Sequence, residues 1–510
     1  MTDFNLWRDP WIRALDIDGK RAELGIYDLL ARAHRLRALY DPSPLTVAGI
    51  HRLLTAVLQA IYDPWDLAEI ADVLEAGQLD RAKLDVFGAQ HGARFGLFDP
   101  VAPFMQTSDA PAVLDKSTKK TVAYLMAEVP SGTNRTHFQH VNDAEHQLCP
   151  ACCARALVTI PAFASSGGAG IKPSINGVPP IYLLPIGSTL AQTLALALTT
   201  PGFQPKIAAG DRATVAAWSG ATTVSKNAET DAVGYLESLT FPARRMRLQA
   251  VERSARCTRC GTPTDTWVSD ILYEMGLSRR KGSELWRDPF AAYYIAASSK
   301  EITSIKPREG RSLWREYGAL FLSDHSLRPP ILSQLSGMVD DSLLPADQLL
   351  RFRCIGLRTD GKAKNFEWFD DALEVPPALL RDQAGAELIR EMLARSEECG
   401  KTLGGLFTKH LRPNGGERTW FNTLRDRMQA DYWARLAQPF HELVGKVSPA
   451  SDYPALARGW AELTLTTAEQ AALKALDQVG DQSDLLRRRV LAEHWLRSEL
   501  NKRRKEWTND

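Results

Sequence analysis

Cys149-Pro150-Ala151-Cys152 and Cys257-Thr258-Arg259-Cys260-Gly261 are the residues whose type and spacing most directly imply chemistry. Two CxxC pairs supply four thiolates, the donor set of one tetrahedral zinc ion, and a glycine after the second pair suits a tight knuckle whose amides face sulfur. The two halves are far apart in the chain, so such an ion staples a domain rather than building a small module. A redox role needs only one pair and leaves the other unexplained. His146 and Cys153 are near enough to serve as substitute ligands, while Cys354 and Cys399 read as buried thiols.

The turn Gly167-Gly168-Ala169-Gly170-Ile171-Lys172 follows the first pair closely. It matches neither GxxxxGK[ST] nor GxGxxG, which argues against a phosphate loop. Its resource is backbone N–H and C=O with no side chain in the way, able to approach the floor of a DNA minor groove. Segment 129–145, which contains Phe138, has little periodicity and sets aromatic character among donors and acceptors. That composition suits contact with nucleotides, and equally an ordinary surface loop. No HExxH, GxSxG, EF-hand or Walker pattern is present, so no hydrolase arrangement stands out.

The elements that must position these residues can be outlined from pattern. With 510 residues, 44% hydrophobic and 24% charged, the chain exceeds one hydrophobic core and implies a large domain plus a smaller one. A formal net charge of +1 excludes a uniformly basic coat but not a local basic groove. The first residues lack a secretory pattern, and the apolar run 181–198 is broken by Pro185, Gly187 and Ser188, so it fits a buried strand and helix better than a bilayer span. Seven cysteines in so long a chain do not resemble a secreted disulfide framework, and a cytoplasmic location with no membrane contact is expected.

In order, 4–17 reads as strand, turn and strand; 27–39 and 46–62 have helical spacing, with His51 and Arg52 on a solvated face of the second helix. Residues 178–184 read as a strand, 188–198 as a helix, and 244–256 as a strand or helix leading into the second knuckle. Lys300 and Lys306 fall in exposed connections. Residues 349–357 alternate like a strand and end in Arg358-Thr359-Asp360-Gly361-Lys362, a turn signal. From 376 the pattern changes to four amphipathic segments, 378–411, 418–447, 453–479 and 483–507, joined by short breaks. The expectation is an α+β (mixed α/β) domain over 1–375 with a four-cysteine zinc knot, followed by an all-α four-helix bundle over 376–510. The Arg487-Arg488-Arg489 and Lys502-Arg503-Arg504-Lys505 clusters fall on the last helix and read first as solvated faces.

Phe4-Asn5-Leu6 with Pro10-Trp11-Ile12, Pro103-Phe104-Met105-Gln106, the CPAC pair, the glycine turn, the CTRC knuckle, Trp286-Arg287-Asp288-Pro289 and the helical C-terminal part, in that order, resemble the large subunit of the type I-E CRISPR Cascade complex, the CasA family. The resemblance spans essentially the whole chain. It implies a non-catalytic subunit that recognises the protospacer-adjacent motif in double-stranded DNA, helps open the duplex and docks a helicase-nuclease. Guide-RNA pairing reads the rest of the target.

The resemblance further implies that 138–145, with Phe138 at the aromatic position, meets the 5′ end of the crRNA and the backbone subunits, and that small subunits are further partners. The minor-groove glycine loop falls on Gly167, Gly168, Ala169 and Gly170, with Lys172 beside it. The lysine entering the groove is best matched by Lys300, with Lys306 as second choice. The family's strand-separating wedge maps to Thr359-Asp360-Gly361-Lys362, where its amide side chains are missing and Lys362 stands in a position to act instead. Two competing readings are a zinc-stapled thiol-redox or nucleotide-dependent enzyme using the CPAC or glycine turn, and a purely architectural subunit whose neighbours contact the DNA.

Overall fold

The computed structural model describes residues 3–110, 119–127, 146–165, 172–205, 216–220, 224–280, 286–324, 326–359, 365–411, 418–480 and 482–508. The chain divides into two compact units, one of Met1–Glu309, Asp324–Pro345 and Arg351–Ala372, the other of Gly310–Ser323, Ala346–Leu350 and Leu373–Asp510.

The first unit is mixed α/β. Its centre is the helix Pro44–Tyr62, started by Pro44, whose fixed φ suits the first helical turn. Among the described residues this is the one helix long and apolar enough to cross a membrane, yet most of it is buried inside the protein. It is a core helix, with every residue from Pro44 to Gln59 buried, Leu53, Leu54, Val57 and Leu58 among them. Gly49 explains how it packs so closely: a Cβ there would lie 2.6 Å from the Val158 carbonyl oxygen. Only glycine lets the backbone at Val158 and Thr159, just past the helix Pro150–Leu157, approach this closely.

Ahead of the core helix, strand Ile12–Asp16 pairs antiparallel with Arg21–Leu24 and Leu36–Leu39. The 27–39 segment thus does not continue as one helix. It is α-helical over Ile26–Ala31 with one 3-10 turn at Ala33–Arg35, and stops there because Leu36–Leu39 completes the sheet, with Ala14 opposite Leu39. The longest hairpin joins Arg244–Arg256 to Pro263–Met275, from Arg244 opposite Met275 to Arg256 opposite Pro263. Its base is buried through Met246, Leu248, Ile271 and Leu272; beyond it the first strand is largely exposed, while Thr266, Trp267 and Val268 of the second stay buried. A third sheet pairs Tyr182–Pro185 with Leu350–Thr359, which in turn neighbours Asn365–Val375. The strand expected over 178–184 begins only at Tyr182, since Pro179 and Pro180 lack the amides a ladder requires.

The second unit holds four long helices, Gln383–Lys409, Arg418–Val444, Tyr453–Leu476 and Ser483–Thr508. Tyr453–Leu476 packs against the other three. Its buried Ala461, Ala468, Ala471, Ala472 and Ala475 are small enough to admit neighbours on several sides. Trp460 is buried and donates its Nε1–H to the Met392 carbonyl at 3.0 Å and the Ser396 hydroxyl at 3.1 Å, while the Tyr432 hydroxyl reaches the Ser396 carbonyl at 2.8 Å. Leu313–Glu316 and Tyr317–Phe321 belong to the same core: Trp314 lies 5.0 Å from the Phe440 ring, and Arg315 stacks 3.5 Å from the Trp433 ring while paired with Glu397 at 2.9 Å. Cys399 and, in the first unit, Cys354 are buried as read from sequence.

Candidate metal centre and nucleic-acid interface

Cys149 precedes Pro150 at the start of helix Pro150–Leu157, so Cys149 and Cys152 stand one turn apart on the same side. The Cys153 N–H closes that turn on the Cys149 carbonyl at 3.0 Å. On the other side, the long hairpin ends in a knuckle: the Gly261 N–H reaches the Cys257 carbonyl at 2.8 Å and the Cys257 N–H the Thr262 carbonyl at 3.0 Å. Gly261 has φ +74°, a left-handed conformation that a side chain would strain. The two halves are stitched together by backbone. Leu148 and Val268 exchange two N–H···O bonds of 2.9 Å, and the Thr258 N–H donates to the Gln147 carbonyl at 2.8 Å.

All four sulfurs consequently lie within 4.8 Å of one another, with Cys149 Sγ and Cys260 Sγ 3.8 Å apart. A tetrahedral ion with metal–sulfur bonds of about 2.3 Å requires sulfurs about 3.8 Å apart, whereas a disulfide requires about 2.05 Å. The donor set and its spacing therefore fit one structural metal ion. Crowded sulfurs also contest their protons: hydrogen bonds from Cys149 and Cys152 hold the Cys257 thiol below its ordinary range, and the bonds Cys149 makes to Cys152 and Cys257 push Cys149 above it. Cys153 faces the protein interior, its thiol pushed well up by burial, and is not part of the group.

Two arginines that local spacing did not single out complete the site. The buried Arg155 donates from Nη2 to Cys152 Sγ at 3.3 Å and from Nη1 to the Trp11 carbonyl and Glu23 Oε1, both at 3.0 Å. It brings a positive charge to the cluster of sulfurs and ties that cluster to the first sheet. Arg259, inside the knuckle, donates to Thr46 Oγ1 at 3.1 Å and lies 3.8 Å from Asp41, which links the knuckle to the start of the core helix.

The expected nucleic-acid contacts divide between described and undescribed residues. Phe138, Gly167, Gly168, Ala169, Gly170, Asp360, Gly361 and Lys362 lie outside the described residues. Lys172 is described: its Nζ pairs with Glu229 at 2.9 Å and its N–H faces Met275 Sδ at 3.3 Å. Lys300 is exposed at the tip of the hairpin formed by Tyr293–Ile295 and Ile302–Ser304, with φ +58° and its N–H on the Ala296 carbonyl at 2.8 Å. Lys306, expected in an exposed connection, is instead half-buried, and desolvation lowers its pKa.

Strand pairing relates two of these regions. Tyr182 pairs antiparallel with Ile355 on one side and bridges Ala291, also antiparallel, on the other. The N-terminal direction of Tyr182–Pro185 is thus the C-terminal direction of both neighbours. One neighbour runs from Ile355 to its strand end at Thr359, and from Ala291 the chain runs on through the strand Tyr293–Ile295. The hairpin that carries Lys300 and the strand ending at Thr359 accordingly leave Tyr182 in the same direction.

Behind them lies a buried ion pair. His51 and Arg52, expected on a solvated face, are both buried. The reason is Asp288 of the Trp286-Arg287-Asp288-Pro289 segment, whose carboxylate accepts a bidentate pair from Arg52 at 3.1 and 2.7 Å, offsetting the cost of burying the guanidinium. His51 is held neutral, its pKa pushed down to about 3 by burial and then by the charges of Arg52 and Arg353. Because the unfolded imidazole binds its proton near pH 6.5, this contribution to stability is complete above that pH and is lost as pH falls toward 3. Between pH 7 and pH 5 the residue is expected to account for about 2 kcal/mol of lost stability. Urea unfolding at both pH values should show that increment in the wild type and not in His51→Leu.

Comparison with known proteins identifies the chain. It is 29% identical over 427 residues to the CRISPR-associated protein CasA/Cse1 of Thermus thermophilus, covering 81% of this chain and 79% of that one. Its fold matches the crystal structure of Cse1 from Acidimicrobium ferrooxidans with a TM-score of 0.79 at 22% identity, over 100% of this chain and 99% of the other. It also matches a chain of a CRISPR RNA-guided surveillance complex with a TM-score of 0.73 at 19% identity, over 97% and 100%. The model of the family described as CRISPR-associated protein Cse1 matches residues 5–475, and the chain belongs to that family.

Proposed function

We propose that this protein is the non-catalytic large subunit of a type I-E CRISPR surveillance complex, Cascade, acting in the cytoplasm. Its first unit recognises the protospacer-adjacent motif of double-stranded DNA and helps open the duplex, and the protein recruits the helicase-nuclease. The observation that carries this reading is the match of residues 5–475 to the Cse1 family. Likeness of nearly the whole chain to a subunit of an RNA-guided surveillance complex supports it.

In this reading Lys300 enters the minor groove beside the backbone of Gly167, Gly168, Ala169 and Gly170, while Asp360, Gly361 and Lys362 separate the first base pairs. Phe138 and its neighbours meet the crRNA 5′ end and the backbone subunits. The four long helices of the second unit act as a bundle, and the small subunits of the complex are further partners. The common direction of the Lys300 hairpin and the strand ending at Thr359 supports a shared duplex contact. Zinc is the metal best suited to a closed four-cysteine site of structural type. Gathering all four sulfurs in one site uses both CxxC pairs together, which favours a staple over a redox pair.

The test is binding of the reconstituted complex to targets carrying a library of flanking trinucleotides. Wild type is expected to prefer a small subset. Lys300→Ala should weaken binding to that subset about 3- to 10-fold and reduce the salt slope by about one, with assembly on the guide RNA intact. Equal binding to all flanks would overturn the reading.

A further inference from the structure

We infer that the Arg52–Asp288 pair is a positioning element for motif recognition: it fixes the Lys300 hairpin and the strand Tyr182–Pro185 in one register against the core helix. The inference rests on the proposed role of Lys300 and deepens it by assigning what holds that lysine's hairpin in place.

Asp288 is fully buried and bonded to three separate segments. Arg52 reaches it from the core helix with two hydrogen bonds of 3.1 and 2.7 Å. Asn176 Nδ2 donates to the same carboxylate at 3.1 Å and to the Tyr182 hydroxyl at 3.1 Å, and Tyr182 in turn donates to the Ala162 carbonyl at 3.0 Å. On the hairpin side, the Phe290 N–H donates to Asp288 Oδ1 at 2.9 Å, and the Asp288 N–H donates to the Tyr293 hydroxyl at 2.7 Å. The Arg52 guanidinium also lies 4.7 Å from the Tyr182 ring centre.

Tyr293 is the first residue of the strand that leads to Lys300, and Tyr182 the first of the strand that pairs with Leu350–Thr359. Asp288 therefore meets the start of both elements whose far ends point the same way: its carboxylate holds the Phe290 N–H and, through Asn176, the Tyr182 hydroxyl, while its main-chain N–H holds the Tyr293 hydroxyl. Apolar packing tolerates small slides between such elements, because it is non-directional. A bidentate pair with fixed donors does not, since a shift of about one ångström breaks both bonds at once. Contacts to a narrow groove need that constancy of position, and a net charge of only +1 gives little non-specific attraction to compensate for its loss.

The test uses the reconstituted complex with Asp288→Asn, which keeps the shape and removes the charge, and with Tyr293→Phe, which keeps the ion pair and removes only the acceptor for the Asp288 N–H. Two substrates are compared: duplex targets bearing the preferred flank, and a single-stranded complementary target that reports guide pairing alone. Asp288→Asn is expected to weaken duplex binding about 5- to 20-fold and Tyr293→Phe about 2- to 5-fold, with single-strand binding within about 2-fold of wild type for both. A loss shared equally by both substrates means general destabilisation and overturns the inference. So does unaltered duplex binding by folded Tyr293→Phe together with either unaltered binding or misfolding of Asp288→Asn. Lys300→Ala, measured alongside, separates the two levels. If it weakens duplex binding while the Asp288 and Tyr293 variants do not, the positioning role alone fails. If none of the three has an effect, the proposed role of Lys300 fails with it.

Discussion

Removing the metal is expected to release one zinc ion per chain and to lower the thermal unfolding midpoint on the order of 5–10 °C, an effect of several kcal/mol in a chain of this size. Small zinc modules draw about 10–16 kcal/mol from the ion because nothing else folds them. Here the knuckle also closes through the Leu148–Val268 backbone pair and the Arg259–Thr46 bond, so part of the structure survives without metal. Cys149→Ser and Cys257→Ser should cost the same within error, because each removes one ligand of a single site. Cys153→Ser should leave metal content unchanged. Elemental analysis of protein made in zinc-replete medium, followed by thermal scans with and without a chelator, reads all of these. Absence of bound metal, or a loss confined to the Cys149 half, would count against the staple.

The sequence carried more of this site than of its surroundings. CxxC spacing is a local property, and both pairs were visible for that reason. Arg155 and Arg259 were not, since an arginine beside a cysteine has no distinguishing local pattern and their partners, Glu23, Trp11, Thr46 and Asp41, are far away in the chain. The long C-terminal helices were legible because their apolar positions repeat at helical spacing for many turns. Segment 27–39 was misread as helix because its last four residues follow a partner strand, and tertiary pairing overrode the local pattern. Arg52 was assigned to solvent because a charged residue on a helix is usually exposed. Its counter-charge lies 236 positions later, which no local window can pair with it. Separation along the chain also explains why Gly49 drew no notice, although its missing Cβ permits the contact at Val158.

Breaking the Arg52–Asp288 pair from opposite sides is expected to give unequal losses. Asp288→Leu leaves a guanidinium buried without its counter-ion and removes the acceptor for Asn176 and the Phe290 N–H. The expected cost is about 3–5 kcal/mol, the range for a buried pair deprived of one member. Arg52→Met removes the cation instead and leaves a carboxylate that still accepts from Asn176 and Phe290, so fewer buried polar groups lose their partners and the cost should be smaller. Chemical denaturation of both variants at pH 8, above the range in which His51 makes stability depend on pH, tests the asymmetry. Equal costs would show that packing around the pair, and not its charge, holds the core helix to the Asp288 segment.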